Sequence, residues 1–464
     1  MSIDPFSNIA DLAKALRAKK VSSVELTQMY LDRLKTKGQE HRAVALLLED
    51  YAIRRAHEAD GSLANAKSPL HGIPYGVKDL LSLANFPTEW GSPGHKGQTF
   101  DHDATVVAKL NDAGAVLIAK LATIELAGGG NYDIAGASST GAALSAWDMT
   151  AWAGGSSSGP GAATGIAAVA FSIGTETSGS ITCPSAFNGL TGFRPTYGRV
   201  SRYGAMALCW TLDKIGPICR SADDCAIVLE TIAGADPHDK STLTERLNLR
   251  SRGSKPKIGL LKEDFKKNKA DACEKAYNET LAVLKKLGYQ TVDVAYPDLP
   301  YGAAIDIIVN AEGCSAHEQF IRGENFQKLA DVNQIAGFTA GLTVPAVDYL
   351  WAMRLRTEAL RANEVWDKCD CIFTPVFYHR APKADKPLGP QFELMGGDSG
   401  PSNLLGWPAM AFPIGFEDGG PIDGQILAPC KREDVCLRVV RDFQNETDLH
   451  KRRPPGAQRT LTGE

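Results

Sequence analysis

Two serine-bearing turns stand out in the chain: Gly154-Gly155-Ser156-Ser157-Ser158-Gly159 and Thr177-Ser178-Gly179-Ser180. Both fall in the Gly/Ser-dense stretch 152–197, and the apolar run GIAAVAFSIG passes between them. A disordered Gly/Ser linker would lack that run. Small residues beside buried apolar ones mean that backbone comes close to other backbone or to a ligand. A serine hydroxyl becomes a nucleophile only when a base relieves it of its proton, so the question is which base this chain supplies.

A Ser-His-Asp arrangement is the first option. Gly155-Ser156-Ser157-Ser158-Gly159 matches G-x-S-x-G with Ser157 at its centre, but that pattern needs a core strand running directly into it. The preceding SAWDMTAWAGG is not such a strand, and none of the nine histidines lies in a catalytic context. His71, just ahead of Lys78, is a candidate to line the site. A Ser-Lys arrangement is the second option, and it needs a neutral lysine. Holding a lysine neutral at pH 7 costs about 4.6 kcal/mol from its unperturbed pKa, and burial can provide that shift. Lys78 in GIPYGVKDLLSL is the best placed, flanked by Tyr75, Val77, Leu80 and Leu81, with Asp79 the one charged neighbour. Taken alone, Lys78 reads better as a lysine paired with an acid at a strand end.

The elements that must position these groups follow from periodicity. Helices are expected at 7–20, from Ser22 (a capping box with Glu25) to Gly38, at 50–66, 104–113, 216–234 (entered through Ser221), 271–287, across much of 303–363, and at 432–445. Strands are expected at 43–49, 115–120, 257–261, 289–296 and 369–377, and in WPAMAFPIGF and GQILAPC. Residues 236–256 are polar and read as an exposed loop or a boundary between halves, and 380–400 is a Pro/Gly-rich loop long enough to be a lid. Short strands alternating with helices make the class α/β.

Hydrophobic content of 44% and charged content of 22% fit a globular protein with a large core. A net charge of −4 gives no electrostatic footprint for nucleic acid or an anionic membrane. No window approaches 18 apolar residues, and MSIDPFSNIADLAKALRAKK lacks the apolar region of a signal peptide. The ten cysteines show no paired zinc-ligand spacing, Cys369-Asp370-Cys371 being a lone C-x-C. The expectation is a cytoplasmic protein with reduced, mostly buried thiols, no metal, no cofactor and a small-molecule partner.

With both turns and Lys78 in view, the chain resembles the amidase signature family over nearly its whole length. The segments that carry the likeness are GIPYGVKD (72–79), GGSSSG (154–159), GTETSGS (174–180), PSAF (184–187), RPT (194–196), GRVSRYGAMALCWTLDKIGPICRSADDCA and NLLGWPAMAFPIGF. The resemblance implies one α/β domain over 1–464, with a large mixed sheet covered by helices on both faces. Within it, 1–70 would be an N-terminal helical part, 71–235 the catalytic core, 236–450 the half completing sheet and pocket, and 451–464 a frayed tail.

It also implies a Ser-cisSer-Lys triad, in which Lys78 is the base, Ser156 the bridge held by a non-proline cis peptide, and Ser180 the nucleophile, 24 residues after the bridge. The amides of Thr177, Ser178, Gly179 and Ser180 would hold the oxyanion, and Ser157 would hydrogen-bond Lys78. Ala127, Gly128 and Gly129 would line the acyl side. Tyr132, Trp210, Phe377 and Trp407 are candidate walls, for which core packing is an even alternative.

The expected activity is hydrolysis of amide C–N bonds, with esters and carbamates as further substrates, by a monomer or homodimer. The alternative is the amidase-type component of a tRNA-dependent amidotransferase, which needs partner subunits. Relative to the family pattern, Glu176 stands where Asp is usual, Ser178 where Gly is usual, Pro160 where a small residue is typical, and Thr182 where most members carry Arg. The missing arginine leans away from acidic or glutamine-like substrates.

Overall fold

The apolar segments that flank the two serine turns are strands of one sheet. The computed structural model describes residues 3–251, 253–261, 271–389 and 400–457. Among them the strands are β1 (Val44–Leu47), β2 (Pro74–Lys78), β3 (Val116–Leu121), β4 (Phe171–Glu176), β5 (Thr191–Arg194), β6 (Lys214–Cys219), β7 (Ile258–Leu261), β8 (Thr291–Val294), β9 (Cys371–Pro375), β10 (Ala409–Glu417) and β11 (Gly420–Leu427). They lie in the order β1-β3-β2-β4-β6-β5-β10-β11-β9-β7-β8. β2 runs parallel to both neighbours, β3 and β4, and every residue of β2 and β3 is buried. Continuous burial is what a parallel strand covered on both faces requires. From β4 to β9 the pairings are antiparallel, and β9, β7 and β8 are again parallel. The sheet is therefore mixed, as expected.

The helices are α1 (Ile9–Arg17), α2 (Ser23–Arg33), α3 (Glu49–Ser62), α4 (Thr105–Asp112), α5 (Ser158–Gly165), α6 (Thr182–Asn188), α7 (Ala222–Ile232), α8 (Asp271–Lys286), α9 (Tyr301–Ala316), α10 (Glu318–Ile321), α11 (Val332–Gly341) and α12 (Ala346–Ala359), then Pro401–Leu405 and Glu433–Glu446. Ser22 and Glu25 form the capping box that starts α2. Alternate residues of β10 serve different cores. Met410, Phe412 and Ile414 join Tyr277 of α8 and Phe443 of the last helix, while Ala411 joins Cys183, Ala186 and Phe187 of α6. Helices thus cover both faces.

Some expectations need correction. Residues 216–219 are strand, not helix: Lys214–Cys219 are six buried residues paired with β4 and β5, and the helix begins only after Ser221, whose side chain accepts from Asp224 N–H. Residues 303–363 are mainly helical, as expected, in separate helices with Pro345 immediately before α12. Residues 236–256 do not divide the sheet, because β5 pairs with β10 across them. The 380–400 stretch is described only to 389 and at 400, so its reading as a lid falls largely outside the described residues, as does the tail beyond 457. All ten cysteines are free, and nine are buried. Among the described residues no helix is long and apolar enough to cross a membrane.

Two glycines show how tightly the centre is built. A Cβ on Gly159, in the first turn of α5, would sit 2.3 Å from Ala122 N and 2.5 Å from Ala43 O, both backbone atoms. A Cβ on Gly61, near the end of α3, would meet nothing within 4 Å. Gly159→Ala is therefore expected to lose about 3 kcal/mol, at the upper end of overpacking penalties. Gly61→Ala should gain about 0.5–1 kcal/mol from reduced backbone entropy. Urea unfolding midpoints of the two variants measure both.

Candidate active site

Lys78 is the last residue of β2 and has no exposed surface. Its Nζ lies 2.8 Å from Ser156 Oγ and 2.9 Å from Thr175 Oγ1, both neutral hydroxyls. Burial outweighs the pull of Asp213 and Glu176 and lowers the Lys78 pKa to about 7. An ammonium with two hydroxyl neighbours in a dry site is costly, so the amine gives up its proton near neutrality.

Ser156 follows a cis peptide bond from Gly155, as the resemblance implies. Its carbonyl accepts from Thr123 Oγ1 at 3.0 Å and from Ile124 N–H at 3.2 Å, which ties the first serine turn to the segment leaving β3. A Cβ on Gly155 would come within 2.7 Å of the Trp152 ring. Ser157 is not bonded to Lys78. Its Oγ donates to the Thr175 carbonyl at 3.2 Å and accepts from Thr175 N–H at 3.3 Å. Ser157 thus fixes the backbone of β4, and the hydroxyl of Thr175 takes the place beside Lys78 expected for Ser157. No named strand runs into Ser157, which sits at the N-cap of α5.

Ser180 is half-buried in the turn between β4 and α6. The turn is held by Glu176, whose Oε2 accepts from Ile181 N–H at 2.8 Å and Thr182 N–H at 3.0 Å and so caps α6. Its Oε1 meets Arg194 at 2.7 Å, and both side chains are almost fully buried. Burial favours the neutral carboxyl, but Arg194, Lys214 and the Thr182 amide prevail and hold Glu176 down at about 2. Arg194 also donates to Ser402 Oγ and to the Trp407 carbonyl. Thr182, where most family members carry Arg, adds its hydroxyl to Glu176 at 3.3 Å. Arg194 on β5 is the counter-cation of Glu176. Among the described residues, the amides of Ser178, Gly179 and Ser180 donate to no protein acceptor.

Ala127, Thr175, Thr177, Asp213, Lys214 and Trp210 are among the residues lining one cavity of about 310 Å³. Ala127, expected on the acyl side, shares this cavity with Thr175, while Lys78, Ser156 and Ser180 are not among its lining residues. Leu126 and Ala127 both have positive φ, 47° and 56°, a strained pair for residues with a Cβ. Glu125 pins this loop to the start of α11 by accepting from Ala330 N–H at 3.0 Å. A Cβ on Gly128 would meet Tyr132 at 2.5 Å, and one on Gly129 would meet Phe338 at 2.5 Å. Trp210 is 46% exposed at the cavity. Phe377 stacks on Phe187 at 4.7 Å, and Phe187 in turn meets Trp152, the neighbour of Tyr132.

Two sequence candidates lie elsewhere. Trp407 packs against Trp366 and Tyr296 in a separate core, and only its carbonyl reaches Arg194. His71 stands before the opposite end of β2, its Nε2 2.8 Å from the Ala59 carbonyl. Sequence reasoning missed Thr175, Asp213 and Lys214. Thr175 gave no signal beyond its place in GTETSGS. Lys214 gave the same signal as Lys78, a lone lysine in an apolar strand.

A family model described as Amidase matches residues 25–437. The A-type subunit of glutamyl-tRNA(Gln) amidotransferase from Coxiella burnetii is 32% identical over 478 aligned residues, covering 96% of this chain and 98% of that one. Among solved structures, peptide amidase from Stenotrophomonas maltophilia superposes with a TM-score of 0.83 at 27% identity, covering 98% of this chain and 99% of the other. A chain from a vestigial complex bearing on the origins of an s-triazine catabolic enzyme gives a TM-score of 0.86 at 27% identity, covering 95% and 98%.

Removing one partner of the buried Glu176–Arg194 pair should cost about 3–5 kcal/mol, so Arg194→Met is expected to lower the urea midpoint strongly. The carboxylate also sets an acid limit. Its pKa falls from 4.5 to about 2 on folding, so its contribution is present above about pH 5 and is lost as pH falls toward 2. In Glu176→Gln this part of the acid-unfolding slope should disappear.

Proposed function

The chain belongs to the amidase signature family, and we propose that it hydrolyses carboxylic amide C–N bonds through an acyl-enzyme on Ser180, with Lys78 and Ser156 as the proton relay. The observation that carries this reading is the fully buried Lys78 amine beside the Ser156 hydroxyl, at 2.8 Å. A neutral Lys78 takes the Ser156 proton as Ser156 takes that of Ser180, and Ser180 Oγ bonds to the substrate carbonyl carbon. The developing oxyanion is met by amides of the 177–180 turn, each such donor being worth about 2.7–4 kcal/mol in the transition state. Collapse breaks the C–N bond as the relay returns the proton to the leaving amine. Water then attacks the acyl-enzyme, giving its proton to the same relay, and the acid leaves.

Substrates of this reading are aryl or aliphatic amides, with esters and carbamates as side activities. A second reading is favoured by one observation, the 32% identity to an amidotransferase component along nearly the whole chain. Under it the enzyme is a glutaminase that works with partner subunits. A panel of an aryl anilide, a short aliphatic amide, glutamine, a p-nitrophenyl ester and a simple carbamate separates the two readings. Turnover of anilide or carbamate by the purified chain supports the first. Activity confined to glutamine, and appearing only with a co-purified partner, supports the second.

Ser180→Ala is expected to abolish turnover, and Lys78→Ala to lower kcat by about 10⁴-fold or more. Full activity in either refutes the assignment. The deprotonated amine is the working form, so kcat/KM should rise through a limb near pH 7 and level off above it. A profile flat from pH 5 to 9 would contradict a lysine base.

A further inference from the structure

Lys214 is nearly fully buried in β6, opposite Glu176 of β4. Nothing in the proposed reaction uses it. Its Nζ donates to the Thr177 carbonyl at 3.2 Å and also to the Leu212 carbonyl, and burial lowers its pKa to about 7, as it does for Lys78. It lines the same cavity as Thr175 and Thr177. The Thr177–Ser178 peptide is trans, because among the described residues Gly155–Ser156 is the only cis bond. In a trans peptide the C=O and N–H point in opposite directions. A Thr177 carbonyl fixed on Lys214 therefore turns the Ser178 N–H away from Lys214 and leaves it without a protein acceptor. The next but one peptide is set in the same way. The Gly179 carbonyl accepts from Cys183 N–H at 2.7 Å and from Thr182 Oγ1 at 3.4 Å, so the Ser180 N–H faces away from α6.

The Thr177 side chain is held as well. Its Oγ1 donates to Asp213 Oδ1 at 2.5 Å, and Asp213 Oδ2 accepts from Leu208 and Cys209 N–H at 2.9 Å. Asp213 fixes one end of the turn through a side chain, and Lys214 fixes the peptide itself. Glu176 cannot do the second task, since its two oxygens are taken by Arg194 and by the first amides of α6.

We infer that Lys214 is a positioning residue for the oxyanion site: by holding the Thr177 carbonyl it orients the Ser178 N–H toward the charge that develops on the substrate oxygen. This rests on the acyl-enzyme reading above. Its Nζ is engaged by two backbone carbonyls and by no serine, so its loss should appear in the transition state and not in substrate binding.

The test uses the full chain and two variants, Lys214→Met, which removes the donor, and Lys214→Gln, whose amide can still donate. For each, kcat and KM on an active amide or ester, affinity for a trifluoromethyl ketone analogue of that substrate, the pH profile and the melting temperature are measured. The ketone serves because its adduct with serine carries the oxyanion. In Lys214→Met, kcat should fall by about 10²-fold with KM nearly unchanged, the magnitude of losing one oxyanion donor. Ketone affinity should fall in parallel, and the limb near pH 7 should stay in place. Lys214→Gln should recover part of both losses. If Lys214→Met does not fold, the parallel loss of kcat and ketone affinity in Lys214→Gln, smaller but present, decides.

The inference is overturned by wild-type kcat in a folded variant, by a loss carried in KM, or by ketone affinity that holds while kcat falls. Activity of the wild type that survives Ser180→Ala would instead overturn the acyl-enzyme reading.

Discussion

A primary amine cannot keep its charge where water cannot reach and no carboxylate touches it. Lys78 is placed under that constraint, with only the hydroxyls of Ser156 and Thr175 as polar neighbours. The rest of the architecture can be read as what is needed to maintain it. β2 must lie between two parallel strands so that its last residue is dry. The Ser156 turn must reach the end of β3 so closely that Gly155 and Gly159 tolerate no side chain. Ser157 and Thr175 must exchange two hydrogen bonds so that the Thr175 hydroxyl stays at the amine. Acid-base chemistry near neutral pH then follows from exclusion of solvent, with no third charged group in contact.

The Ser180 turn is built on the opposite principle. There Glu176 is ion-paired with Arg194, while Asp213 and Lys214 are each held by hydrogen bonds to neutral groups. Glu176 spends both oxygens on Arg194 and on the first amides of α6. Asp213 takes the Thr177 hydroxyl and two amides, and Lys214 takes carbonyls. Saturated polar contacts of this kind rigidify a segment, because each group that moved would be left buried and unsatisfied. A rigid turn with unclaimed amides costs little reorganisation when charge appears beside it. The site thus joins a dry, uncharged half to a polar half whose side chains are bonded and whose turn amides are free of protein acceptors.

Much of this was legible in the residues. The apolar context of Lys78 and the first serine turn pointed to the amine and the Ser156 hydroxyl that meet at 2.8 Å, and Ser22 with Glu25 pointed to the start of α2. What could not be read is where a side chain goes once strands pair. Ser157 and Thr175 are 18 residues apart, and which hydroxyl faces Lys78 depends on how α5 and β4 pack. His71 is close to Lys78 in sequence because only a short strand separates them, yet that strand carries them to opposite ends. Ser221 is the entry of the helix expected over 216–234, and 216–219 lie ahead of that cap. Their buried residues declare a strand only beside β4 and β5. Trp407 offered the same aromatic signal as Trp210, and only the third dimension separates a core ring from a cavity ring.

The contacts of Arg194 have a bearing on how the protein is made. Its guanidinium bonds Glu176 at one end and reaches Ser402 and the Trp407 carbonyl at the other, and β5 is completed by β10. Ser402 and Trp407 lie 208 and 213 residues further along the chain. Contacts of such long sequence separation form late. A growing polypeptide that has already exposed both serine turns still lacks the segment that locks the second one. The Ser180 turn is therefore not locked until residues 402–407 have been made, and a product that stops short of them would carry both serine turns without that lock.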